Sequence, residues 1–93
     1  IDYYQKAIEV NPRYARAHYN LGISFLHRNL KDKAENCFTK VVELTPYDIS
    51  AFIKIANAYG EMGKQDKQIE CMKRAADLGD EDCAKWLKDK GVK

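Results

Sequence analysis

The sequence repeats itself every 34 residues. Pro12 and Pro46 stand one period apart, and each closes a run of the same grammar: Ile8-Glu9-Val10-Asn11 before the first, Val42-Glu43-Leu44-Thr45 before the second. The same step carries Leu21 to Ile55, Gly22 to Ala56, Phe25 to Tyr59, Asp32 to Asp66 and Lys33 to Lys67. Successive steps relate Tyr4, Phe38 and Met72, and likewise Lys6, Lys40 and Arg74. A fixed period of roughly 20 to 50 residues marks a repeat protein. One such unit cannot bury its apolar face alone, so neighbouring units must do it for one another.

Within each period the apolar residues follow helical spacing. Tyr4, Ala7 and Ile8 set the stripe of a first helix over residues 1–10, which Asn11-Pro12 ends because the residue before proline is driven out of the α region. Ala17, Leu21 and Phe25 mark a helix from about residue 13 to 27, and Ala34, Phe38, Val41 and Val42 one from about 31 to 44. The next period gives helices over about 48–61 (Phe52, Ile55, Ala56, Tyr59) and 64–78 (Ile69, Met72, Ala75, Ala76). Gly60 and Gly63 are expected to bracket the turn between these two. Gly79 stops the second, and Asp80 or Asp82 caps a last helix over about 81–90. Connections of a few residues join antiparallel neighbours, so the expected product is a row of helical hairpins. Period-2 alternation is absent, which argues against strands.

At this point the residues resemble the tetratricopeptide repeat, a helix-turn-helix unit with the pattern aromatic-x2-Leu-Gly-x2-Tyr, Ala-x3-Phe, Pro. The chain shows His18-x2-Leu21-Gly22-x2-Phe25, Ala34-x3-Phe38 and Pro46, then Phe52-x2-Ile55-Ala56-x2-Tyr59 and Gln68-x3-Met72. The resemblance implies an all-α fold, a right-handed α-α superhelix (solenoid) of antiparallel helical hairpins. It implies one domain over residues 1–93: 1–14 as the second half of a truncated repeat, 15–48 and 49–82 as full repeats, and 83–93 as a capping helix. Three positions depart from the pattern. Gln68 replaces a small residue where two helices touch, Lys31 and Gln65 replace a turn aromatic, and Asp80 replaces the closing proline. A looser second hairpin is the expectation. The first helix lacks the partner its repeat should supply, so preceding residues or another molecule are expected to cover that edge.

Nothing in the sequence assembles a catalytic set. His18 and His27 lie nine residues apart, a poor spacing for shared ligation, and His18 occupies the aromatic position of the motif, which favours packing. No phosphate loop or paired Cys/His zinc motif is present. Gly60 and Gly63 read as turn residues. An enzyme, a cofactor and a metal are therefore not expected. The net charge of +2 arises from interspersed charges and leaves no footprint for nucleic acid. No apolar run approaches the roughly 18 residues of a membrane span. Cys37, Cys71 and Cys83 are an odd number without metal spacing. They read as small core hydrophobes, which fits a reducing, cytoplasmic setting.

The resemblance also places a binding face. In this family the first helix of each hairpin lines a concave groove that holds a peptide or helix of a partner protein. The matching positions are Arg16, Tyr19, Asn20, Ile23 and His27, then Ser50, Ile53, Lys54, Asn57 and Glu61, and Lys88 on the last helix. Tyr19 is expected to face the groove. Tyr14 and Tyr47 are expected to stack in the interrepeat turns, and Trp86 to sit in the core. One family subtype clamps the carboxylates of chaperone tails. Asn20 and Lys54 match two of its positions, but Ser50 stands where a lysine belongs. The implied function is non-enzymatic protein–protein interaction through the groove. The alternative is self-association through the incomplete N-terminal edge, or service as a repeat fragment of a larger protein.

Overall fold

A computed structural model describes residues 2–11 and 13–91, with the side chains of Asp2 and Tyr3 left aside. Six helices are present among the described residues, with no strand: α1 (Asp2–Val10), α2 (Ala15–His27), α3 (Lys31–Leu44), α4 (Ile49–Glu61), α5 (Gln65–Asp77) and α6 (Glu81–Asp89). Internal packing divides the chain into two compact units, Ile1–Pro46 and Tyr47–Lys93. The first holds α1 to α3, the second α4 to α6.

In the first unit α2 and α3 form a hairpin. Asn29 takes the left-handed conformation at φ 60°, which asparagine tolerates better than most residues. Its N–H donates to Leu26 O at 2.9 Å and the next N–H, of Leu30, to Phe25 O at 2.8 Å. That pair of bonds satisfies two orphan carbonyls and reverses the chain. Gly63 does the same after α4 at φ 77°, with Lys64 N–H donating to Tyr59 O at 2.9 Å. Because the two turns share one geometry, each hairpin brings its helices together in the same register.

The helix starts differ from the expected ones. Asn11 Oδ1 accepts from Arg13 N–H at 3.1 Å and its carbonyl from Tyr14 N–H at 3.0 Å. This turn absorbs residues 13 and 14, so α2 begins at Ala15 rather than Arg13. Asp48 stays outside α4 as its cap and accepts from Ala51 N–H at 3.1 Å. At α6 the cap is Asp80, which accepts from Cys83 N–H at 2.8 Å, and Asp82 lies within the helix. The departure from proline at residue 80 therefore supplies a helix start.

Phe38 is fully buried between α2 and α3 and crosses α2 at Gly22. A Cβ at residue 22 would lie 2.6 Å from Phe38 Cε1 and 3.1 Å from Cys37 Cβ. Glycine is required there so that the ring can reach the helix. Ala17, Leu21, Phe25 and Ala34 complete this core, and the Lys33 ammonium lies 5.7 Å from the Phe25 ring centroid. In the second unit Phe52, Ile55, Ala56 and Tyr59 pack with Cys71, Met72 and Ala75, and α6 adds Cys83 and Leu87. Trp86 is only half-buried, with the Lys90 ammonium 5.5 Å from its ring, so its expected place in the core is not reached.

Gly60 is not a turn residue but lies inside α4. A Cβ there would come within 2.7 Å of Gln68 Nε2. The oversized Gln68 of α5 is thus housed by the missing side chain opposite it. One period earlier the sizes are reversed, with Leu26 on the first helix and Ala34 on the second. The neighbouring layer trades in the other sense and by less: Gly22 and Phe38 become the slightly larger Ala56 and the slightly smaller Met72. Each hairpin keeps its volume by trading bulk between its two helices, which is what close packing demands.

Candidate functional site

The residues expected to bind a partner fall on two stripes at helical spacing. On α2 they are Arg16, Tyr19, Asn20, Ile23 and His27; Arg16 and His27 are exposed and the other three half-buried. On α4 they are Ser50, Ile53, Lys54, Asn57 and Glu61, all exposed except the half-buried Ile53. Lys88 on α6 is exposed too. Each stripe is set off from the buried residues of its own helix, Ala17, Leu21 and Phe25 on α2 and Phe52, Ile55 and Tyr59 on α4. The faces offer a guanidinium, an ammonium, two side-chain amides, a carboxylate and two half-buried isoleucines.

Two aromatic expectations need correction. Tyr19 is half-buried, its ring 6.0 Å from that of Phe38 and tilted by 45°, so it supports the hairpin core as well as facing outward. Tyr47 does not stack in its turn: 83% of its surface is exposed, while Tyr14 is 45% exposed.

The thiols are poor nucleophiles. Cys37, Cys71 and Cys83 are free and buried. Burial raises the Cys37 thiol above its ordinary value. Burial, helped by the neighbouring Glu70 charge, pushes Cys71 up to about 11. Burial and then Asp80 push Cys83 up to about 12. All three remain protonated near neutrality, and a protonated thiol neither attacks nor ligates well. No cluster of three or more His, Cys, Asp or Glu side chains suited to a metal occurs among the described residues.

Reading the sequence missed one feature of the first unit. A cleft of about 510 Å³ opens among α1, α2 and α3. The buried Leu21 and Cys37 and the half-buried Ile8 and His18 lie at its bottom, and exposed polar side chains from α1 and α3 edge it. The signal was His18, which stands where the later periods place Phe52 and Trp86.

Family profiles decide what this architecture is. A profile described as TPR repeat matches residues 1–27, and two described as tetratricopeptide repeat match residues 15–48 and 49–79. The chain belongs to the tetratricopeptide repeat family. Two crystal structures, of MamA and of MamA protein, are similar to it at 32% identity over 83% of this chain, with TM-scores of 0.68 and 0.69. The chain spans 45% and 42% of those two proteins, less than half of each. Tetratricopeptide repeats generally mediate protein–protein interactions and are generally not enzymes. None of the described helices is long and apolar enough to cross a membrane.

Proposed function

We propose that this chain is a non-enzymatic interaction module that holds a peptide or helix of a partner protein against the outward faces of α2 and α4. The observation that supports this reading is the exposure of those faces in both units, at positions where each helix otherwise buries its apolar stripe. Extended peptides need side chains that recognise backbone amides, and Asn20 and Asn57 supply them. Arg16 and Lys54 add cations for acidic side chains, and Ile23 and Ile53 give apolar footing. Modest affinity is expected, since the faces hold no deep aromatic anchor. The reading takes the two units as one domain and places it in the reducing cytoplasm.

Selection from a displayed random peptide library tests it. Peptides that bind should lose affinity when Arg16→Glu or Lys54→Glu is introduced, and keep it with Lys85→Glu on α6. Binding that is indifferent to both α2 and α4 substitutions removes this reading.

A second reading rests on α1. Tyr4 and Ala7 are half-buried, whereas Phe38, Met72 and Ala75 at the same register are buried. Such a half-covered stripe suits pairing with another copy of the chain. Sedimentation velocity across a hundredfold concentration range discriminates, and a monomer throughout rules this reading out.

A further inference from the structure

We propose that the cleft among α1, α2 and α3 is a second binding site, which takes an aromatic residue at the C-terminus of a partner polypeptide. The repeat itself puts an aromatic ring at the corresponding place. At the register of His18 the second unit carries Phe52, 1% exposed, with the Arg74 guanidinium carbon 5.1 Å from its ring centroid. In the first unit the shorter imidazole stands there instead, and about 510 Å³ lies open beside it. That volume falls within the roughly 300–1,000 Å³ common for small-ligand sites. Beside the His18 imidazole, the bottom is formed by the apolar Ile8, Leu21 and Cys37 and suits a ring.

Charge selects the C-terminal residue. Lys40 occupies the register of Arg74, but its ammonium lies 3.9 Å from Glu43 in a pair that is about half-exposed on both sides. Exposed pairs of this kind contribute little, so an incoming carboxylate can displace Glu43. Lys40 then lies beside both the carboxylate and the ring, as Arg74 lies beside Phe52. Glu9 of α1 also lines the cleft and offers a carboxylate to accept the N–H of the same residue. A C-terminal aromatic residue carries ring, carboxylate and N–H together. None of these cleft residues belongs to the α2 and α4 faces above, so the two readings stand or fall apart.

The test is a nuclear magnetic resonance titration of the 15N-labelled chain with N-acetylphenylalanine, its C-terminal amide and N-acetylalanine. N-acetylphenylalanine should shift the amide signals of Ile8, Leu21 and Cys37 with a dissociation constant on the order of millimolar, as a small open site allows. The amide should bind about threefold to fivefold more weakly, the value of one exposed ion pair, and N-acetylalanine should not bind. His18→Phe should set a ring of the chain's own at the bottom of the cleft, where it competes with the incoming one, and weaken binding about tenfold or more, a difference of roughly 1.4 kcal/mol. Lys40→Gln, an exposed change whose fold is checked by circular dichroism, should weaken the acid to the level of the amide. No shift with N-acetylphenylalanine, equal binding of acid and amide, or unchanged binding to Lys40→Gln overturns the proposal.

Discussion

Gly22 and Gly60 are both helical glycines, yet the same substitution should harm the first and leave the second nearly unaffected. Replacing either with alanine gains about 1 kcal/mol of helix propensity. At Gly22 the new methyl would sit 2.6 and 2.9 Å from Phe38 ring carbons and 3.1 Å from Cys37 Cβ. Phe38 is fully buried, so its ring has no free volume to enter. Overpacking of this kind costs about 1–3 kcal/mol, and with the backbone already in contact the upper half applies, leaving Gly22→Ala destabilised by roughly 1–2 kcal/mol. At Gly60 the neighbour at 2.7 Å is the far end of Gln68, a half-buried, flexible amide that can swing aside. Gly60→Ala should come out near zero, and Gly60→Ala with Gln68→Ala should recover the propensity gain of about 1 kcal/mol. Urea unfolding followed by far-ultraviolet circular dichroism measures all three, with thermal midpoints moving about 4–8 °C per kcal/mol for a chain this size. A stabilised Gly22→Ala, or a Gly60→Ala that costs more than Gly22→Ala, would refute the packing argument.

Phe38→Ala should cost about 3–5 kcal/mol and leave the first unit largely unfolded by circular dichroism. Asp48→Ala removes the cap bond to Ala51 and should cost about 1 kcal/mol, read as a lower urea midpoint. The thiols set an alkaline limit. Cys71 and Cys83 ionise near 9.0 when unfolded but only near about 11 and about 12 when folded, so their contribution is intact below pH 9 and is lost as pH climbs through 9 to 12; Cys71→Ala should flatten that decline. Asp80 acts at the other end. Hydrogen bonds from the Cys83 thiol and then its backbone N–H hold its carboxyl below the usual range, so its contribution is present above the unfolded value of about 3.8 and lost as pH falls through the folded one; Asp80→Asn should blunt acid unfolding. A thiol-reactive dye should label none of the three cysteines in the native chain and all of them in denaturant.

Much of the fold was legible because the repeat writes each position more than once. Leu21, Phe25, Ala34 and Phe38 were placed in the core from spacing, and the structure buries them. The helix starts were less legible, since nothing in the residue order announces that Asn11 folds Arg13 and Tyr14 into a turn. Gln68 misled for a different reason. Judged against the motif it is a defect, but its meaning depends on Gly60, eight residues away and on the facing helix. The exposure of Arg16, Ser50, Lys54 and Glu61 follows from helical register, whereas the binding role given to them comes from the family resemblance. The cleft could not be read from the sequence, because it depends on how α1 sits against α2 and α3, which helical spacing alone does not state.

The matched size pairs govern how this chain could be recombined. A chimera that places α5 opposite α2 would set Gln68 against Leu26 and Met72 against Gly22, one collision and one void in adjoining layers. The converse graft, α3 opposite α4, would leave Ala34 facing Gly60 and press Phe38 against Ala56. Single helices are therefore not interchangeable parts, even though their sequences align. A hairpin moved whole keeps its own complement: any duplication, deletion or designed extension that cuts between the helix pairs carries it along, and one that cuts at residues 28–30 or 62–64 does not.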